Sequence, residues 1–339
     1  MFAAIFAGPG EVELRQQKLS VLKPGFVTIK STVCGVCGSD LHVYSGRWKQ
    51  TETAGGHEVT GVVTALGEGV NAVSVGDRVC VECFSHCGRC DFCLSGMYNH
   101  CRLRSAASGG GHAGFAEYVV AHESSLVGVP DTLTDEQAAM VEPVAVAYRA
   151  VARSGATHRD RLAVVGCGSI GILVIGVARA VGVNEIVALA KYDHQALAAR
   201  EFGASESSQS SDNVGGAADV VIETTGSSGG FDDALQLVRP GGTIVMLGGY
   251  HSEICANVGR IVATEAVVTG SNCYGRTGMR TDFEWAIELI RTGRIQADKI
   301  VTHRFELTDV GKAFATAAAK STGAIKVHVT MTSKRRGGE

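Results

Sequence analysis

The chain has 339 residues, of which 45% are apolar and 19% charged, enough hydrophobic material for cores and too little charge for a disordered polymer. That length favours two domains over one, and a net charge of −3 gives no electrostatic reason to expect nucleic acid or an anionic membrane surface as a partner. Eleven cysteines in so long a chain are too sparse for a disulfide scaffold, which leaves metal sites or reduced thiols.

In chain order, the stretch from Met1 to Pro9 is apolar but lacks a positive n-region and runs into alternating Val12 and Leu14. It reads as a strand and not a secretory signal, so a cytoplasmic protein is expected. Short β-patterned runs follow, Val27 to Val33, Val59 to Ala65 and Val79 to Val81, broken by Gly, Pro and Asp, and together they predict a small all-β domain. From about Arg161 apolar runs alternate with alanine-rich helical stretches: Leu162 to Val165, a helix, Ile186 to Leu189, a helix ending near Gly203, then Val220 to Glu223. Such alternation predicts an α/β part with a parallel sheet and crossover helices. Ser205 to Ser211 reads as a serine-rich surface loop. Thr243 to Leu247, after the Pro240-Gly241-Gly242 turn, and Val267 to Gly270 are further strands; helical Phe283 to Thr292 leads to a last strand-helix-strand pattern closed by Lys326 to Thr330. Ser333 to Glu339 is a polar tail.

The strongest chemical signal is Cys87, Cys90, Cys93 and Cys101, with Gly88 and Gly96 permitting tight turns. Four thiolates at this spacing can close around one tetrahedral Zn²⁺ with no open position, the pattern of a structural site. Cys80 and Cys83 run into this lobe and are alternates, ranked as packing residues. A zinc module for nucleic acid would need a basic stripe that the lobe lacks. A second set is dispersed: Cys37-Gly38-Ser39-Asp40-Leu41-His42, then His57-Glu58, then Glu142-Pro143. One thiolate, one imidazole and one carboxylate supply three ligands and leave a fourth position open, as catalytic zinc requires. Each piece alone is weak, since a lone His is more often a hydrogen-bonded structural residue and Cys34 with Cys37 also reads as a redox pair. Gly166-Cys167-Gly168-Ser169-Ile170-Gly171 follows the strand at Leu162 to Val165 and opens a helix, the context a dinucleotide fingerprint needs. It also accounts for the uncharged stretch from Leu162 to Ala178 better than a membrane span does.

Gly56-His57-Glu58, Gly61, Gly67 and Val70 match the zinc signature of the zinc-containing medium-chain dehydrogenases at every fixed position, and the chain resembles that family over essentially its whole length. The resemblance implies a GroES-like β-rich catalytic domain built from both chain ends (residues 1–148 and 282–339) around a Rossmann doubly wound dinucleotide-binding domain (149–281), assembled as a homodimer or homotetramer. By the same resemblance Cys37, His57 and Glu142 are catalytic-zinc ligands, Glu58 lies beside the metal either behind the ligands without binding it or as an alternating ligand, and Ser39 and His42 relay the alcohol proton. Glu142-Pro143, where alcohol dehydrogenases carry cysteine, is similar to the sorbitol and polyol dehydrogenase branch; threonine dehydrogenases are also near relatives. The expected reaction is hydride transfer between a secondary alcohol (polyol, cyclitol or amino-alcohol) and a nicotinamide dinucleotide. A zinc-free quinone or enone reductase of the same superfamily and a non-catalytic dinucleotide sensor are the alternatives. Gly248 and Gly249 either admit the nicotinamide closely or form a turn. Tyr44, Arg47, Trp48 and Tyr274 either line the substrate pocket or pack. For the cofactor, the strand ending at Leu189 is followed by Ala190 and Lys191, a small-then-basic pattern that resembles NADP-dependent relatives. Asp193 supports NAD instead if the strand ends a few residues later.

Overall fold

In the computed structural model, which describes residues 1–49, 55–109, 113–214, 217–250 and 252–331, the chain opens on an antiparallel hairpin of β1 (Phe2–Gly8) and β2 (Glu11–Gln16). β3 (Phe26–Gly35), the short helix α1 (Gly38–Tyr44), β4 (Glu58–Leu66) and β5 (Arg78–Val81) come next. A loop segment carries β6 (Phe84–Ser85), α2 (Asp91–Leu94) and β7 (Ser105–Ala106), with β6 paired to β7. Beyond it lie β8 (Tyr118–His122), β9 (Leu126–Gly128), α3 (Asp135–Ala139) and α4 (Val141–Ser154). Strands and helices then alternate: β10 (Arg161–Val165), α5 (Ser169–Val181), β11 (Glu185–Leu189), α6 (Asp193–Glu201) and β12 (Glu206–Ser208). β13 (Ala218–Glu223), α7 (Ser228–Leu237), β14 (Val238–Met246), α8 (Val258–Thr264) and β15 (Val267–Gly270) continue the pattern. A small hairpin of β16 (Arg276–Thr277) and β17 (Arg280–Thr281) precedes α9 (Asp282–Arg291), β18 (Val301–Glu306), α10 (Val310–Ala318) and β19 (Lys326–Thr330).

Two compact units result, Met1–Glu142 with Ala297–Glu339, and Pro143–Gln296. The joins read from the sequence fall after Tyr148 and before Asp282. In the first unit the sheet runs β18-β19-β3-β4-β5-β9, with β8 also on β3. β3 is its hub because Val27 and Ile29, two apart and fully buried, project from one face into the core. Phe314 of α10 packs against Phe6 and Phe115, with ring centroids 5.8 and 5.1 Å apart. The register brings three strands to one point: Gly35 at the end of β3 lies opposite Glu58 on one side and His328 on the other, so β4 and β19 flank it together.

The second unit is a parallel sheet in the order β12-β11-β10-β13-β14-β15, the doubly wound arrangement in which strand order reverses beside the first strand. The uncharged stretch divides into β10 and α5, whose residues Gly171 to Ala178 are buried on the sheet. No helix among the described residues is long and apolar enough to cross a membrane. The serine-rich segment is corrected: Glu206 to Ser208 forms the edge strand β12, paired with Val187 to Leu189. Backbone pairing holds it, and an edge strand with half-exposed side chains needs no apolar residues. β14 begins at Val238, and its ladder is interrupted at Pro240-Gly241-Gly242 before regular pairing resumes at Thr243. The tail from Ser333 to Glu339 lies outside the described residues.

Candidate metal and dinucleotide sites

The lobe between β6 and β7 folds Cys87, Cys90, Cys93 and Cys101 into one cluster, their sulfurs all within 4.8 Å of one another. The Cys87–Cys93, Cys90–Cys93 and Cys90–Cys101 separations are 4.0, 3.5 and 4.0 Å. A zinc ion about 2.3 Å from each sulfur needs edges of about 3.8 Å, so the set fits a closed tetrahedral site. Backbone amides turn inward here: Cys87 and Leu103 N–H each donate to Cys101 Sγ at 3.3 Å, and those of Arg102 and Cys93 lower the Cys90 thiol to about 6. That lowering favours the Cys90 thiolate. Gly88, at φ +69°, makes the turn between the first two cysteines. Cys80 is not part of the cluster; it is buried on β5, where its thiol donates to Val127 O at 3.5 Å and burial pushes its pKa far up.

The second cluster, Cys37, His57 and Glu58, also has all its ligand atoms within 4.8 Å, although its members come from separate segments. Cys37 caps α1, where its N–H donates to the Asp40 carboxylate at 2.9 Å. Ser39 and His42, three apart on α1, share a helix face, and the His42 ring lies 5.4 Å from that of Trp48. Glu58 starts β4 and is fully buried, its carboxylate lying so close over Gly35 that a Cβ there would sit 2.0 Å from Oε2. Lys326 of β19, equally buried, donates to both Glu58 oxygens at 2.6 and 2.5 Å and to Val36 O at 3.2 Å. Burial pulls the His57 imidazole down, but Cys37, Asp40 and Glu142 outweigh it and hold its pKa well above the ordinary value. Lys326 behaves alike: desolvation opposes its charge, and Glu58 and Cys37 restore it. Glu142, second residue of α4 and buried, stands outside the three-residue cluster, near enough to act on His57 and Lys326 through its charge. A thiolate, an imidazole and a carboxylate form a donor set suited to zinc with a position left open. A cavity of about 200 Å³ opens beside His57, lined by Asp40, Gly56, Val81, Cys83 and Val119 among others.

In the second unit Gly166 leaves β10 at φ +90° and Gly168 caps α5. A Cβ on Gly171 would meet Gly166 O at 1.9 Å, whereas one on Gly168 would meet nothing within 4 Å. The first contact requires glycine for close packing, and the second leaves open space beside the α5 N-terminus, where Ser169 and Ile170 begin the helix. Thr224, just after β13, donates to Gly166 O at 2.6 Å and braces the turn. Ala190 follows β11 fully buried; Lys191 is exposed, with Nζ 5.6 Å from the Tyr192 ring centroid. Asp193 already belongs to α6, and its carboxylate accepts from Gln209 Nε2 at 2.9 Å. Gly248 N–H donates to Glu223 O at 3.0 Å.

Of the four aromatic and basic pocket candidates, Tyr274 is fully buried against Phe283, with centroids 4.7 Å apart, and is a packing residue. Tyr44 packs on Phe314 at 5.5 Å. Sequence reasoning missed Lys326, Asp40, Glu223 and Thr224. A lysine inside an apolar terminal strand and a glutamate ending Ala218 to Ile222 are the faint signals, since a charge there must find a partner.

Residues 23–131 match the alcohol dehydrogenase GroES-like domain, and residues 169–292 the zinc-binding dehydrogenase domain. Sorbitol dehydrogenase of Halalkalibacterium halodurans is 35% identical over 320 residues, covering 90% of this chain and 91% of that protein. The crystal structure of 2R,3R-butanediol dehydrogenase from Bacillus subtilis superposes with a TM-score of 0.84 at 32% identity, covering 98% of this chain and 99% of that one. That of a zinc-binding dehydrogenase from Sinorhizobium meliloti, bound to NADP, gives 0.85 at 28%, covering 97% and 98%. With its GroES-like and Rossmann parts, its cysteine lobe and its Cys-His-Glu cluster, the chain belongs to the zinc-containing medium-chain dehydrogenases, in the branch of the polyol dehydrogenases, and is a zinc- and NAD(P)-dependent oxidoreductase of alcohols.

Proposed function

We propose that this enzyme oxidises the secondary hydroxyl of a small polyol, or reduces the matching ketone, with NADP. The observation that carries the reading is the cluster of Cys37, His57 and Glu58, three different donor types gathered where α1, β4 and the end of β3 meet. Cys37 and His57 hold the catalytic metal with a carboxylate from Glu58 or Glu142, and the four-cysteine lobe holds a structural one. When bound, the zinc polarises the substrate oxygen, and the nicotinamide carries the hydride. Ser39 Oγ accepts the hydroxyl proton and His42 passes it toward solvent, which suits two side chains on one face of α1. The first compact unit is the catalytic domain and the second the dinucleotide domain, with Gly166, Gly168, Ser169, Ile170 and Gly171 around the pyrophosphate and Gly248 on the nicotinamide side.

NADP is favoured by buried Ala190, too small to exclude a 2′-phosphate, and by exposed Lys191 beside it. Asp193 supports NAD less well, because it opens α6 and is engaged with Gln209. A second copy of the chain is the expected partner: edge strand β15 and helix α8 expose Val258, Val262, Val267 and Val268, at 61, 72, 57 and 38%. No nucleic acid or membrane partner is proposed, and the cytoplasm is the proposed location, where thiols stay reduced and available as metal ligands. A panel of polyols, cyclitols, amino-alcohols and simple secondary alcohols, read by cofactor absorbance with both dinucleotides in wild type and Lys191→Ala, tests the reading. Polyol-dependent NADP reduction that falls in the variant is expected. Absence of turnover across the panel contradicts the substrate class, and an NAD preference untouched by the substitution contradicts NADP.

A further inference from the structure

Glu223 ends β13 fully buried, and among the described residues no Lys, Arg or His pairs with it. Among those residues its charge is met by neutral donors alone. Oε1 accepts from Thr225 N at 2.6 Å, from Thr225 Oγ1 and from Gly226 N at 3.2 Å; Oε2 accepts from Gly226 N at 3.2 Å and from Tyr250 OH at 2.6 Å. The main chain repeats the link, since Glu223 O accepts from Leu247 N at 2.8 Å and Gly248 N at 3.0 Å. One residue therefore ties the loop after β13 to the loop after β14.

The packing around it leaves no slack. Gly226 holds φ +65°, a Cβ on Gly248 would lie 2.1 Å from Gly226 N, and one on Gly230 would lie 2.5 Å from Glu223 Oε1. The same loop abuts the phosphate turn, because a Cβ on Gly166 would lie 2.5 Å from Thr225 Cγ2. These loops leave the carboxyl ends of β10, β13 and β14, on the side of the switch point opposite β11. In a doubly wound sheet each half takes one mononucleotide, so with the adenosine on the β11 side, the β13 and β14 loops face the nicotinamide half.

We propose that Glu223 is a positioning residue for the nicotinamide half of the dinucleotide, locking Thr225-Gly226 and Gly248-Gly249-Tyr250 into one floor without touching the cofactor itself. The assignment rests on the second unit binding the dinucleotide. A carboxylate is required because four donor groups converge on two oxygens; an amide offers one acceptor and turns an N–H₂ group toward donors.

The test is a split between whole cofactor and half cofactor. NADPH and NADH report the whole by fluorescence, and ADP-ribose with its 2′-phosphate reports the adenosine half by calorimetry, in wild type, Glu223→Gln and Tyr250→Phe. The expected result is at least about a tenfold loss of affinity for the whole dinucleotide in Glu223→Gln and a smaller loss in Tyr250→Phe, with binding of the fragment unchanged in both. Equal loss of whole and half, or loss of neither, overturns the assignment. If Glu223→Gln does not fold, Tyr250→Phe must show the same split by itself. A wild-type chain that binds neither dinucleotide contradicts the dinucleotide reading itself, and this assignment with it.

Discussion

The two clusters of metal-ligand residues are built in opposite ways. The lobe gathers four candidate ligands from fifteen consecutive positions, Cys87 to Cys101, in a short loop with mostly half-exposed thiols steadied by nearby backbone amides. The Cys37, His57 and Glu58 cluster takes its candidate ligands from a helix cap, a loop and the start of a strand, buries its carboxylate, and balances charge with a lysine from the far end of the chain. The first depends on its own loop alone, the arrangement of a closed structural site. The second depends on the register of β3, β4 and β19, so the fold sets its electrostatics as well as its geometry.

Breaking the lobe should produce the largest effect. Zinc binding in small cysteine-rich modules is worth about 10–16 kcal/mol, so Cys93→Ser should lower the thermal midpoint more than any substitution near the second cluster. A scan of both variant classes with and without chelator checks this, and chelator should no longer destabilise Cys93→Ser through the lobe. Next in size is Lys326→Met. It leaves the Glu58 carboxylate buried without its cation and should cost about 3–5 kcal/mol in denaturant unfolding, against a smaller loss when Glu58→Gln accompanies it. A Lys326→Met chain as stable as wild type would mean that the pair does not set the charge of the second cluster.

Acid sharpens the contrast with a smaller effect. Two residues past Lys326, His328 is fully buried, and among the described residues neither ring nitrogen has a hydrogen-bond partner. Burial, with Lys326 and Arg304 adding to it, pushes its pKa down to about 3. The Glu136 carboxylate lies 3.9 Å away but is occupied by Arg304 at 2.5 and 2.8 Å, so the imidazole stays neutral. Because the folded pKa lies below the unfolded value, the unfolded state binds the extra proton first. This contribution is whole above pH about 6.5 and is lost as pH falls toward 3, with a slope of at most about 1.4 kcal/mol per pH unit. Urea midpoints between pH 4 and 7 in wild type and His328→Leu measure it; equal slopes would contradict the assignment.

What the sequence made legible divides along the same line. The lobe was readable because its ligands are neighbours, and the fingerprint because a strand must precede Gly166 and a helix must carry Gly171. Most strands were readable from apolar runs. Glu206 to Ser208 was not, since an edge strand is held by its backbone and advertises nothing in its side chains. Lys326 was invisible because its partner is 268 residues away and only β-sheet register brings them together. Tyr274 and Trp48 look alike in sequence, yet one is core and the other 37% exposed, a difference set by tertiary packing.

The most direct test of two sites with separate duties is zinc content per chain, by elemental analysis, in wild type, Cys93→Ala and Cys37→Ala, each assayed for dinucleotide reduction. About two zinc ions are expected in wild type and about one in each variant. Turnover should disappear in Cys37→Ala, whereas folded Cys93→Ala retains it with a lowered midpoint. One zinc in wild type, or full turnover in a Cys37→Ala chain that has lost its metal, would contradict it.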